Sequence, residues 1–200
     1  MAATLSIRYQ WVNLREKIMA EKKIRWGILS TANIGLKKVT PAIMKSPLSE
    51  VTAVASRDIA KAKDYIAELG LTGKARAYGS YEELFAAPDI DAIYNPLPNH
   101  LHVPMTLAAA RAGKHVLCEK PIALNAKEAE QLRQIPKGIV FHEAFMVRHH
   151  PQWQRAREIA RSGELGELRT VRGIFDVART GDLVRLATLR GRAPPLSAAI

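Results

Sequence analysis

The chain has 200 residues, 48% of them hydrophobic and 24% charged, a composition for a soluble globular protein of one full domain and part of a second. Its single cysteine, Cys118, excludes an internal disulfide framework and fits a reducing, cytoplasmic compartment, and no run of 18 apolar residues is present to span a membrane. The net charge of +11 invites a nucleic-acid reading, but residues 1–18 carry +2 and residues 177–200 carry +3, leaving +6 over the 158 between, so nucleic-acid binding is not expected.

Residues 1–18 show no clean period, and their sequence lacks the basic head and apolar core of a secretory signal. Met19 opens MAEKKIRWGILS like a natural start, so 1–18 reads as an N-terminal extension, or else as a short surface helix over Tyr9–Met19. From Ile24 strand and helix alternate. The spacing predicts a strand over Ile24–Ser30 and a helix over Asn33–Met44, with Pro41 either kinking it or sitting where it is already irregular. A largely apolar run, Val51–Ser56, has the character of a buried parallel strand. Asp58 caps a helix over Asp58–Leu69 that Gly70 stops. A strand over Ala75–Tyr78 precedes a helix over Ser80–Ala86, where Ser80 and Glu83 form a capping box. Further strands fall at Asp91–Asn95, His115–Cys118 and Ile139–Glu143, with helices at Pro104–Ala112 and Asn125–Gln134 between them. A helix from Gln152 to Ser162 and a strand over Leu168–Phe175 follow. This alternation predicts an α/β fold, a Rossmann-type doubly wound parallel sheet, whose ligands bind beyond the carboxyl ends of the strands.

The first such end is Gly27-Ile28-Leu29-Ser30-Thr31-Ala32-Asn33-Ile34-Gly35. The dinucleotide fingerprint G-x-G-x-x-G falls here as Ser30-x-Ala32-x-x-Gly35. Small side chains let the N–H groups of a helix start approach a pyrophosphate, and the helix end adds partial positive charge. Ser30, Thr31, Ala32, Asn33 and Ile34 are therefore candidate cofactor-binding residues, although Gly27 and Gly35 alone would also suit ordinary turn and packing roles. The second strand ends in Ser56-Arg57, 22 positions beyond Gly35, where the adenosine ribose is met. An arginine there pairs with a 2′-phosphate, which favours NADP; the adjacent Asp58 leaves NAD open.

Two later loops carry more. Tyr94-Asn95-Pro96-Leu97-Pro98-Asn99-His100-Leu101-His102 follows the fourth strand, and Cys118-Glu119-Lys120-Pro121 the fifth. Together with GILSTANIG and VASRD, they closely resemble the glucose–fructose oxidoreductase/inositol dehydrogenase/MocA family, nearest in look to its NADP-linked sugar and dihydrodiol dehydrogenases, over about Lys22 to Phe175. The resemblance implies a Rossmann domain followed by an open-sheet α/β domain, and hydride transfer between a nicotinamide and a sugar, polyol or related carbinol. It places Lys120 near the nicotinamide and the substrate hydroxyl, as the residue that holds a substrate oxygen and assists proton transfer. Glu119 and Pro121 carry over as residues that shape that turn. Pro96, Leu97, Pro98, Asn99 and His102 carry over to the loop beside the cofactor. Glu143 and Ala144 match the strand-end turn into the second domain, and Arg148 with His150-Pro151-Gln152 match the linker. His100 and His102 as a metal pair is the weaker reading, on an extended loop with no acid or cysteine cluster nearby, and no metal is expected. Cys118 reads as core.

The match fades at Phe175-Asp176. Val177–Ile200 is rich in Arg, Ala, Leu and Pro with no lysine or aromatic residue, as an out-of-frame GC-rich stretch would be, so a frameshift or early end near 176 is expected. The organisation then reads as extension (1–18), Rossmann domain (19–145), the fragment that begins an open-sheet C-terminal substrate domain (146–176) and an aberrant tail (177–200). Turnover is expected to be impaired, and the family's oligomer surface, which uses the second domain's sheet, to be missing. The alternative is a nucleotide-binding module without catalysis.

Overall fold

The structure is a computed structural model, and it describes residues 22–172. The extension, the Tyr9–Met19 helix, the last three residues of the Leu168–Phe175 strand and the 177–200 tail lie outside the described residues. The chain divides into two compact units at Val147/Arg148.

In the first unit, six strands form one parallel sheet: β1 (Ile24–Leu29), β2 (Ser49–Ala55), β3 (Arg76–Tyr78), β4 (Ala92–Asn95), β5 (His115–Cys118) and β6 (Phe141–Glu143). Their order is β3-β2-β1-β4-β5-β6, so the winding reverses between β1 and β4. The helices between them are α1 (Thr40–Lys45), α2 (Ile59–Glu68), α3 (Tyr81–Ala86), α4 (His102–Arg111) and α5 (Ala126–Glu130). This is the doubly wound architecture expected from the alternation.

Side chains alternate across the sheet and build a core on each face. Leu29, Ala53, Ala55 and Ile93 pack with Leu84 and Phe85 of α3 and Ala109 of α4. Ile28, Val54 and Tyr94 pack on the other face with Ala62, Tyr65 and Ile66 of α2. Register slips where Trp26 faces Val51 but Gly27 faces Ala53, leaving Thr52 as the extra residue of a bulge. That bulge turns Val51 and Val54 to the same face, which strict alternation would not do.

The caps form as the sequence indicates. Asp58 accepts the Ala60 N–H at 2.9 Å, Ser80 accepts that of Glu83 at 3.2 Å, and Asn125 accepts that of Glu128 at 2.9 Å. Glu83 completes its box one residue early, on the Gly79 N–H at 3.2 Å. Pro41 sits where the helix is already irregular: Gly35–Val39 is a π-helical segment, and the Thr40 N–H reaches back to the Gly35 carbonyl. Proline lacks the N–H that the next α-helical bond would use, and the wider turn precedes it.

At the opposite end of the sheet, Asp91 accepts from Arg25 Nε at 2.8 Å, Nη2 at 2.7 Å and the backbone N–H at 2.9 Å. The Arg25 guanidinium holds this carboxyl well below the usual range. Lys114 is buried there and donates to the carbonyls of Ala87 (2.6 Å) and Ile90 (3.0 Å); desolvation pushes its pKa down.

Three expectations are corrected. His100 and His102 do not lie on an extended loop: Asn99–Leu101 is a 3-10 turn and His102 opens α4, because Asn95 folds the segment back on itself. The helix expected through Gln134 is α-helical only to Glu130 and finishes as a 3-10 turn, Gln131–Gln134. Residues 168–172 are irregular rather than a strand; no described strand pairs with them, and an isolated strand has nothing to satisfy its backbone.

In the second unit, one α-helix, α6 (Pro151–Ser162), is described, capped by His150 and closed by Gly163 at φ +86°. It buries no residue, and Trp153 is exposed.

Candidate dinucleotide site

Strand order sets the carboxyl ends of β2, β1, β4 and β5 side by side, so the loops read as functional in the sequence share one edge. Backbone bonds step along it. Ser30 N–H donates to Ala55 O (2.8 Å), Glu119 N–H to Asn95 O (3.0 Å) and Ala144 N–H to Cys118 O (2.7 Å).

Ser30 ends β1 at φ +65°, a left-handed conformation that glycine adopts freely and serine does not. Its hydroxyl is buried and has no hydrogen-bond partner among the described residues. Thr31 and Ala32 are half-buried, Asn33 and Ile34 exposed. They open the helix whose first N–H groups have no intrahelical acceptor, and no side chain caps it at Ile34. Gly35 is required by space: a Cβ there would lie 2.8 Å from Tyr65 Oη and 3.5 Å from Tyr94 Cε1. The Tyr65 hydroxyl shares a 2.8 Å bond with buried Thr40, and burial pushes it up to about 12.

Ser56 is buried, and its Oγ accepts the Asp58 N–H at 3.3 Å. Arg57 is exposed, and among the described residues its guanidinium has no hydrogen-bond or ion-pair partner. Asp58 spends its Oδ1 on the Ala60 N–H, as the cap of α2.

Beyond β4, Asn95 is fully buried and makes three bonds: Nδ2 to His102 O (3.2 Å) and Thr106 Oγ1 (3.3 Å), Oδ1 from the Leu97 N–H (3.2 Å). Pro96 and Leu97 are buried; Pro98 and Asn99 face solvent. His102 is buried, with Nε2 2.7 Å from Leu97 O and Nδ1 2.6 Å from Pro121 O.

The turn after β5 is pinned on both sides of Lys120. Glu119 Oε1 accepts the Tyr94 hydroxyl at 2.8 Å, Pro121 O meets His102, and the Ile122 N–H donates to Glu143 Oε1 at 3.0 Å. The peptide between Lys120 and Pro121 is cis. Lys120 is exposed, with no ion pair among the described residues. Burial, then Glu119, push the Tyr94 hydroxyl far up, so it donates to the carboxylate as a neutral phenol. Cys118 is fully buried and burial raises its thiol to about 12, which keeps it inert.

The structure therefore gathers the predicted residues into two kinds. Asn33, Ile34, Arg57, Asn99 and Lys120 offer side chains to solvent, while Ser56, Pro96, Leu97 and His102 shape the edge from within. Asn95, Tyr94 and Tyr65 carry no expected role yet hold the loops in place; for Asn95 and Tyr94 the signal available was that polar groups sit in a strand of a buried parallel sheet, and Tyr65, on α2, offered none. Among the described residues, no three His, Cys, Asp or Glu side chains group to hold a metal, and no helix is long and apolar enough to cross a membrane.

Strand order, a small-residue turn into a helix and ligand-facing loops at the winding reversal define a dinucleotide-binding Rossmann domain. The chain belongs to the glucose–fructose oxidoreductase/inositol dehydrogenase/MocA family, an oxidoreductase family with an NAD-binding Rossmann fold, whose model matches residues 24–138. It is 46% identical to an NADP(+) D-xylose 1-dehydrogenase of Haloferax volcanii over 152 residues, 75% of this chain and 45% of that one. It is 37% identical to the trans-1,2-dihydrobenzene-1,2-diol dehydrogenase of Bos taurus over 156 residues, 76% of this chain and 45% of that one. The crystal structure of KijD10, a 3-ketoreductase of Actinomadura kijaniata in complex with NADP, superposes with a TM-score of 0.67 at 37% identity, over 73% of this chain and 46% of that one. The chain thus spans a little under half the length of these relatives.

Proposed function

We propose that this chain is the cofactor-binding half of an NADP(H)-dependent oxidoreductase that moves hydride between the nicotinamide and a sugar, polyol or related carbinol. The observation that carries this reading is the Lys120 turn, whose residues 119, 121 and 122 are each held by a group from another element while the Lys120 amine has no partner among the described residues. The family and the printed activities of the relatives support it.

The residues present fit a dinucleotide phosphate. Ser30 supplies a left-handed turn and an unpartnered buried hydroxyl. The N–H groups over 31–34 lead into a helix start that no side chain caps, and they would hold pyrophosphate oxygens. Arg57 is free to pair with a 2′-phosphate, and the carboxylate that would favour a ribose 2′-hydroxyl, Asp58, is engaged as a cap. A bound nicotinamide supplies the hydride donor or acceptor. Lys120 holds the substrate oxygen and passes its proton. On this reading residues 19–145 are the cofactor domain and 146–176 begin the substrate domain.

Titrating NADPH by its fluorescence, then assaying a panel of aldoses and dihydrodiols, tests the reading. Saturable binding tighter for NADPH than NADH, with turnover that Lys120→Met lowers by about 100-fold or more, is the expected result. Binding without any turnover favours a nucleotide-binding module instead, and gel shifts that survive moderate salt would point to nucleic acid.

A further inference from the structure

His102 is 1% exposed, yet neither of its ring nitrogens faces solvent, another side chain or the open edge where a cofactor would lie. Nε2 is 2.7 Å from the Leu97 carbonyl oxygen and Nδ1 is 2.6 Å from that of Pro121. Carbonyl oxygens only accept, and a neutral imidazole has a single N–H. One of the two contacts would then set a nitrogen lone pair against an oxygen lone pair, at a separation shorter than the usual N–H···O distance of about 2.9 Å. Both contacts are attractive only when both nitrogens donate, and charged donors form the short bonds, about 2.7–2.9 Å.

We propose that His102 is a positioning residue that donates both ring N–H groups and so straps the loop after β4 to the Lys120 turn after β5. The inference deepens the NADP(H)-dependent reading and rests on it for the role of Lys120. The ionisable groups on the elements packed around the His102 ring are Tyr94 on β4, His100 in the 3-10 turn, Arg111 at the far end of α4, His115, Cys118, Glu119 and Lys120 on β5 and its turn, Arg133 in the 3-10 turn after α5, and His142 and Glu143 on β6. Burial keeps Tyr94 and Cys118 neutral. Glu119 and Glu143 are fixed on the two sides of the turn by the Tyr94 hydroxyl and by the Ile122 N–H. Asn95 holds the His102 backbone carbonyl, so the ring is anchored at its root as well. With both arms in place, the Leu97 loop and the Lys120 turn move as one body, and a ligand seated on the first is felt at the second.

The two-bond 1H–15N spectrum of the cofactor-free chain at pH 7.5, with His102 assigned from backbone resonances, reads the ring directly. Both His102 nitrogens should show the protonated pattern with slowly exchanging N–H protons. A neutral pattern, with one bare nitrogen, overturns the strap whether or not the chain binds NADPH. Positioning is read separately by NADPH titration of three variants. His102→Gln, which keeps a donor of similar reach, should hold affinity within about 3-fold, and His102→Leu should lose about 10-fold or more, the value of one to two charge-assisted bonds. Val103→Ala removes buried volume from the same helix and should lower the melting temperature without weakening NADPH. Equal loss in all three would make His102 merely structural. If wild type binds no NADPH, the cofactor reading fails while the ring spectrum still decides the strap.

Discussion

Replacing Gly35 by alanine should destabilise the domain even though Gly35 is helical, where alanine is intrinsically better by about 1 kcal/mol. The added Cβ would lie 2.8 Å from Tyr65 Oη, inside the 3.0 Å that real Cβ atoms essentially never cross. Tyr65 is 3% exposed and Thr40 fully buried, so the phenol cannot swing into water, and moving it breaks the 2.8 Å bond between the two hydroxyls. Overpacking costs about 1–3 kcal/mol. Leaving buried hydroxyls unpaired costs about 1–3 kcal/mol more. Set against the helix gain, a net loss of about 1–5 kcal/mol is expected, and at its centre of about 3 kcal/mol a fall of roughly 6–12 °C in melting temperature for a domain of this size. Urea unfolding followed by far-UV circular dichroism measures it. Tyr65→Phe alone should cost about 1 kcal/mol, for the orphaned Thr40 hydroxyl. In the double variant the clashing oxygen is gone, so the two losses should fall short of their sum by about 1 kcal/mol or more. A neutral or stabilising Gly35→Ala, or simple additivity in the double variant, would refute the steric account of this glycine.

Other consequences are open to test. Ser30→Gly relieves a left-handed serine and should raise stability by about 1 kcal/mol while weakening NADPH; a stability gain with unchanged NADPH affinity would remove the hydroxyl from the site. Arg57→Ala should weaken NADP(H) by about 10-fold or more and NAD(H) little, read by parallel fluorescence titrations, and equal losses would dismiss the 2′-phosphate role. Asp91, held low by Arg25, contributes stability that is full above the unfolded carboxyl pKa of about 3.9 and is lost as pH falls below it. Urea midpoints from pH 6 to pH 2.5 should therefore fall less steeply in Asp91→Asn than in wild type.

Much of the sheet was legible because its signals are local. Caps at Asp58, Ser80 and Asn125 and apolar runs between them mark elements one at a time, and alternation fixes a parallel winding. The Thr52 bulge was not legible, since Val51–Ser56 is apolar on both faces and gives no phase to break. The 3-10 turn at Asn99–Leu101 was missed for a different reason: Asn95 creates it through bonds to His102 and Thr106, seven and eleven positions away. The site divides in the same way. Ser30, Arg57 and Lys120 stand at strand ends that periodicity can find. The groups that hold the Lys120 turn, Tyr94, His102 and Glu143, come from elements brought together only by the order β1-β4-β5-β6.

That order also works as a ruler. Arg57 follows β2 and Lys120 follows β5, with β1 and β4 between, three inter-strand steps that at about 4.8 Å each amount to about 14 Å. A ligand that meets both residues lies across four strand ends. A mononucleotide such as adenosine 2′,5′-bisphosphate is long enough to occupy the Arg57 end and too short to reach Lys120, so it should compete for half of the edge and leave the other half open.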